Sequence, residues 1–161
     1  MTISKKIVLL GHFGVGKTSL VRRFVENTFS DNYRVTIGVH ILKKEVVLPE
    51  NQVNLIIWDI EGNEDISKTR SSYLMGSHGF IYVFDTTRKS TYENLPADLD
   101  YIKSGYNNVP VIVVGNKSDL VTKTHLRENK QYFDLAHYFS SAKTGENVET
   151  LFKDLTKKLI K

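Results

Sequence analysis

Apolar residues follow two rhythms along this 161-residue chain. Runs such as Ile7-Val8-Leu9-Leu10, Leu55-Ile56-Ile57-Trp58, Phe80-Ile81-Tyr82-Val83-Phe84 and Val109–Val114 are continuous or alternate with period two, as buried strands do. Between them lie helical spacings, clearest where Val148, Leu151, Phe152, Leu155 and Leu159 line one face of a helix over Glu146–Lys161. Strands alternating with helices predict an α/β fold, a parallel sheet with crossover helices. Taken in order, the pattern predicts a strand at about 4–10, a helix at about 17–26 and a polar loop over 27–37. Strands Val39–Leu48 and Val53–Ile60 follow, joined through Pro49-Glu50-Asn51-Gln52 as a hairpin. Then come a short helix at about 65–75, strand Phe80–Asp85, a helix within 90–104, strand Val109–Val114, a helix within 124–135 and a short strand at about 137–140. Pro96 must kink its helix or mark its true start. There is no internal repeat, low-complexity stretch or linker, so residues 1–161 read as one domain.

The chemistry gathers where strands end. Gly11-His12-Phe13-Gly14-Val15-Gly16-Lys17-Thr18-Ser19 lies between the first strand and the first helix, the context of a phosphate-binding P-loop. Its glycines let successive N–H groups turn inward on an anion, and the helix start adds its own N–H groups and dipole. Lys17 supplies charge to the outer phosphates, and the Thr18 hydroxyl can ligate Mg²⁺. Asp59 ends an apolar strand; taken alone it reads better as a cap of the next helix, but with a P-loop one strand away it suits Mg²⁺ through a water. Asn116-Lys117-Ser118-Asp119 follows another buried strand. An ionised Asp119 accepts two hydrogen bonds from adjacent N–H groups, which guanine offers and adenine does not. Asn116 can donate to the ring or brace the P-loop, while the Lys117 stem covers the purine face. The useful group in Ser140-Ser141-Ala142-Lys143 would be a backbone N–H directed at a guanine oxygen.

Composition narrows the setting. The chain has no cysteine, which excludes disulfides, thiolate zinc, thiol catalysis and cysteine lipidation, and no direct lipid anchor is expected. No apolar run approaches a bilayer span and the N-terminus lacks a signal-type core, so a soluble, cytoplasmic protein is expected. A net charge of +4 is mild and gives no reason to expect nucleic acid. Lys153, Lys157, Lys158 and Lys161 read as a solvated helix face rather than an anion-binding one. The five histidines lack metal-ligand spacing.

In order and placement, Gly11–Ser19, Thr36-Ile37-Gly38, Asp59–Glu64, Asn116–Asp119 and Ser141–Lys143 resemble the motifs of a Ras-superfamily small GTPase of the Rab branch. The resemblance covers residues 4–160. It implies a P-loop NTPase fold, a six-stranded, mostly parallel sheet with one antiparallel edge strand and about five flanking helices. It also implies GTP and GDP as ligands, Mg²⁺, and hydrolysis of GTP. Carried over, Lys17 and the amides of Gly14, Val15, Gly16, Lys17, Thr18 and Ser19 hold phosphates; Thr18 and Thr36 join Asp59 around Mg²⁺. The Gly62 amide senses the γ-phosphate, Phe29 meets the base edge-on, and Asn116, Lys117, Asp119, Ser141, Ala142 and Lys143 hold guanine. Residues 30–39 and 60–74 become two switches through which effector, exchange-factor and activating proteins would act. Val35, Ile37, Val39, Trp58 and Tyr73 are the effector-facing candidates.

Departures from the family bear on catalysis. The second switch usually reads Asp-X-Ala-Gly-Gln-Glu; here it is Asp59-Ile60-Glu61-Gly62-Asn63-Glu64. Asn63 carries the same amide as glutamine but reaches about 1.5 Å less, which predicts slow hydrolysis with binding intact. Glu61 puts a carboxylate near the γ-phosphate, better tolerated if it turns outward. Phe13 replaces a glycine of Ras itself and puts help from an inserted arginine finger in doubt. The chain ends at Leu159-Ile160-Lys161 without the cysteine tail of membrane-acting members, consistent with work in solution, a partner, or a trimmed sequence. The leading expectation is a slow GTPase switch. A nucleotide-dependent interaction module with negligible turnover is the alternative, and Asn116–Asp119 argues against a P-loop kinase of small nucleotides.

Overall fold

The protein is described by a computed structural model covering residues 2–31 and 36–161. Six strands, β1 (Thr2–Leu10), β2 (Val39–Val47), β3 (Gln52–Ile60), β4 (Gly79–Asp85), β5 (Val111–Asn116) and β6 (Tyr138–Phe139), form one sheet in the order β2-β3-β1-β4-β5-β6. Only edge strand β2 is antiparallel, pairing Val39 with Ile60, as the hairpin predicts. The others run parallel, so all their C-terminal ends open on one edge.

Alternation along the strands divides two cores. Ile7, Leu9, Ile81, Val83, Ile112 and Val114 face α1 (Lys17–Glu26) and α6 (Val148–Leu159), where Phe24 stacks on Phe152 with ring centroids 4.1 Å apart. The opposite face is aromatic: Phe80, Tyr82 and Phe84 meet Tyr92, Leu99, Ile102 and Phe133 on and around α3 (Leu95–Gly105) and α5 (Lys130–Phe133). Every residue of β4 is buried, because this strand is covered on both faces.

Several predicted boundaries move. Pro96 lies in the first turn of α3, so proline marks the start rather than a kink, and Lys89–Thr91 is a separate 3₁₀ turn. The helix expected over 124–135 is two, α4 (Lys123–Glu128) and α5, interrupted at Asn129. Among the described residues there are thus six α-helical segments, where about five were expected. The 65–75 helix reduces to a 3₁₀ turn at Ile66–Lys68 and the four-residue α2 (Ser71–Leu74). Strand β5 begins and ends two residues later than periodicity predicted, which brings Asn116 into the ladder opposite Asp85. Among the described residues no helix is long and apolar enough to cross a membrane.

Phe152 is fully buried and holds α6 against α1, the helix that carries the phosphate loop. Phe152→Ala is expected to cost about 3–5 kcal/mol of unfolding free energy, read by denaturant titration at fixed nucleotide; a loss below about 1 kcal/mol would refute this account of the core.

Candidate functional site

The parallel register assembles the site. Leu9 pairs with Asp59 and Asp85 with Asn116, so the loops after β1, β3, β4 and β5 rise from one edge. They enclose a cleft of about 340 Å³ lined by Phe13, Gly14, Gly16, Lys17, Thr18, Ser19, Phe29, Thr36, Gly62, Asn116, Lys117, Asp119, Ala142 and Lys143, among others. Val15, Asp59 and Ser141 lie buried just behind that lining, and half-buried Asn63 is outside it.

The loop from Gly11 to Gly16 is held from outside. Gly16 starts α1 with φ 100°, and a Cβ there would fall 2.2 Å from Asn116 Nδ2, so only glycine fits. Lys17 folds back over the loop, its Nζ donating to the carbonyls of Gly11 at 3.3 Å and His12 at 3.1 Å. Burial lowers its pKa to about 8, with the Asp59 charge opposing the shift. An anion in the cleft would favour the charged ammonium further.

Three oxygens converge beside it. Thr18 Oγ1 lies 2.7 Å from Thr36 Oγ1 and donates to Asp59 Oδ2 at 2.7 Å. The second oxygen of Asp59 is buried without a hydrogen-bond partner among the described residues, and burial raises the carboxyl's pKa against the Thr18 hydrogen bond and the Lys17 charge. A hard, all-oxygen set with one carboxylate and an unsatisfied buried oxygen fits Mg²⁺. Among the described residues there is no group of three or more His, Cys, Asp or Glu that could by itself hold a metal ion.

At the other end of the cleft, Asn116 braces the P-loop: its Nδ2 donates to Val15 O at 3.0 Å while its Oδ1 accepts from Ser140 Oγ at 3.2 Å. Lys117, in the left-handed region with φ 64°, sends Nζ to Gly14 O at 3.1 Å. Exposed Asp119 accepts from the Ser141 hydroxyl at 2.8 Å, which aims its carboxylate. Phe29 is half-buried at the cleft wall.

The 61–63 segment rests on the P-loop. A Cβ on Gly62 would come within 2.5 Å of Phe13 N and Cα, and the Asn63 amide donates to Gly11 O at 3.3 Å. Glu61 turns away from Lys17, its Oε2 accepting from the Gly38 amide at 3.4 Å, in keeping with the outward alternative. Phe13 remains 45% exposed at the cleft rim. Of the effector-facing candidates, Ile37 is 80% exposed, whereas Trp58 and Tyr73 pack on each other with centroids 6.3 Å apart and Val39 is half-buried. Val35 lies outside the described residues.

Sequence reasoning missed three residues. Arg23 on α1 donates to Ala142 O at 2.7 Å and Lys143 O at 2.5 Å, tying the late loop to the P-loop helix. Asp85 is fully buried and pairs with Lys117 Nζ at 2.8 Å. Arg88 reaches the P-loop carbonyls of Phe13 at 2.8 Å and Gly14 at 3.4 Å. Asp85 ends a buried strand as Asp59 does, and that shared placement was the available signal; Arg23 and Arg88 carry none.

The Ras family model matches residues 6–161. Relatives include the Ras-related protein Rab-1 of Theileria annulata, 36% identical over 163 residues, covering 96% of this chain and 73% of the relative. The Ras-related protein Rab-21 of Bos taurus is 36% identical over 165 residues, 99% of this chain and 74% of the relative. The Ras-related protein Rab-30 of Homo sapiens is 38% identical over 161 residues, 96% and 79% respectively.

Because the atoms a Gly62 Cβ would meet are backbone, Gly62→Ala must lift the 61–63 segment off the P-loop. The expected result is faster hydrogen exchange at the Asn63 amide, by about tenfold or more, with exchange in β4 unchanged. Exchange at Asn63 equal to wild type would show that the loop accommodates the methyl.

Proposed function

The chain belongs to the Ras family, and we propose that it binds GTP and GDP with Mg²⁺, hydrolyses GTP slowly, and presents different surfaces in the two states. The observation that carries this reading is the direct joining of the two recognition loops: Asn116 and Lys117 each donate to a P-loop carbonyl. A base seated on Lys117 and Asp119 thereby lies in register with phosphates seated on the amides of Gly14 to Ser19. Ser141 orients Asp119 toward the two adjacent N–H groups of guanine. An adenine lacks those two adjacent N–H groups, so hydrogen bonds to a charged acceptor, each about 1.5–3 kcal/mol, would not form.

Thr18, Thr36 and Asp59 would hold Mg²⁺, which when bound would supply positive charge against the phosphates. In the hydrolysis proposed, a water oxygen forms a bond to the γ-phosphorus in line with the β–γ bridging oxygen. The bond to that bridging oxygen breaks, GDP leaves with its electron pair, and the water proton passes to the phosphate formed. Lys17 and the P-loop amides stabilise the growing charge, and the Gly62 amide senses the γ-phosphate. Asn63 orients the attacking water from a position about 1.5 Å short of glutamine's reach. The alternative, an interaction module with negligible turnover, is favoured by the same short amide. Effectors, exchange factors and activating proteins would dock on residues 30–39 and 60–74, where Ile37 offers exposed apolar surface.

Denaturing the purified protein is expected to release GDP or GTP; adenine nucleotide, or none even after loading with GDP and Mg²⁺, would overturn the reading. Single-turnover cleavage separates a slow enzyme from a module with negligible turnover. Restoring glutamine reach with Asn63→Gln is expected to raise that rate by about 10²-fold, and no gain would remove Asn63 as the cause of slow turnover.

A further inference from the structure

We propose that Arg88, together with its buried counter-ion Asp85, positions the phosphate-binding amides of the P-loop from behind, and so helps set how long the nucleotide stays bound. This rests on the nucleotide-binding reading above. The geometry begins with the peptide unit: the carbonyl of Phe13 belongs to the same peptide as the Gly14 N–H, and that of Gly14 to the Val15 N–H. A donor on the outer carbonyl fixes the orientation of the inner N–H and polarises it. Arg88 donates to Phe13 O at 2.8 Å and to Gly14 O at 3.4 Å, and a cation makes the polarisation stronger than a neutral donor would.

Arg88 is unlike a loose surface arginine. Its backbone N–H donates to Asp85 O at 3.1 Å and its carbonyl accepts from Thr91 N–H at 3.0 Å and Thr91 Oγ1 at 2.7 Å. Asp85, fully buried at the end of β4, holds Lys117 Nζ at 2.8 Å and Arg88 at 3.9 Å on one oxygen. Its other oxygen accepts from the Thr87 amide at 2.8 Å and the Thr87 hydroxyl at 2.6 Å. One buried carboxylate therefore anchors two cations that converge on Gly14 O, one from the β4–α3 turn and one from the base-recognition loop. The Arg88 side chain is 42% exposed, so water competes for it and its contribution is a several-fold one.

The roles of the two cations differ. Lys117 reaches the P-loop and, on the reading above, would also cover the base; Arg88 reaches the P-loop carbonyls and, among the described residues, no residue of the base-recognition loop. Loss of Arg88 therefore acts on phosphate retention and leaves base selection alone, whereas Asp85→Asn, which releases Lys117 as well, disturbs both.

The test loads the full chain with Mg²⁺ and fluorescent GDP or GTP, chases with unlabelled nucleotide, and measures competition between GDP and IDP, which lacks the guanine 2-amino group. Arg88→Ala is expected to speed release of both nucleotides by roughly five- to tenfold, with the GDP-to-IDP preference unchanged and the melting temperature falling no further than that loss of affinity accounts for. Arg88→Lys, a point charge that can serve one carbonyl but not fork to two, is expected to fall between alanine and wild type. Release from Arg88→Ala within about twofold of wild type, or an Arg88→Ala change in the GDP-to-IDP preference as large as the change in release, would overturn the proposal. Failure of the wild-type chain to retain GDP at all would instead overturn the nucleotide-binding reading.

Discussion

The structure depends on the outer carbonyls of one loop being occupied. An anion site made of N–H groups requires several adjacent peptides to point the same way, and their carbonyls then point together in the opposite direction, where they must be satisfied. Here Gly11 O and His12 O take Lys17, Phe13 O takes Arg88, Gly14 O takes Arg88 and Lys117, Val15 O takes Asn116, and Gly16 O takes the first turn of α1. Four side chains from three parts of the sequence surround one turn of backbone. The sheet exists, functionally, to deliver them.

That delivery follows from the parallel ladder. Pairing Leu9 with Asp59 and Asp85 with Asn116 brings two carboxylates and an amide to one edge, and a one-residue slip would turn each onto the opposite face of the sheet. The two cores oppose such slips. Ile81 and Val83 fit beneath α1 and α6 while Phe80, Tyr82 and Phe84 fill the wider space below α3, so exchanging the faces would force bulky rings into an aliphatic layer. Packing inside the sheet and chemistry at its edge are thus one constraint.

The legible part of the sequence is the part whose signal is local. Gly11–Ser19 between a strand and a helix, and Asn116–Asp119 after a strand, each carry their chemistry in consecutive residues, and both lie in the cleft. The sheet was legible because its strands are nearly continuous apolar runs. What escaped was chemistry that depends on distant pairing. Arg23 binds residues 119 and 120 positions away, and Arg88 binds residues 75 and 74 positions away, so neither arginine differs locally from a solvated one. The break at Asn129 escaped for a related reason: its side chain donates to the His125 carbonyl at 2.9 Å and its backbone leaves helical geometry, a competition that apolar periodicity does not register.

The segment after Asp59 shows how a rigid site can be joined to a movable surface. From Glu61 to Met75 only Ile66 and Leu74 are buried, and regular structure amounts to one 3₁₀ turn and four residues of α-helix. Few buried contacts place this stretch at the low end of local stability, where a modest free energy can reposition it. It nevertheless touches the most constrained element of the fold, since Gly62 rests on the Phe13 backbone and the Asn63 amide on Gly11 O. Glycine at position 62 therefore matters less for turn geometry than for closeness: any side chain would hold the responsive segment away from the loop whose occupancy it is proposed to report.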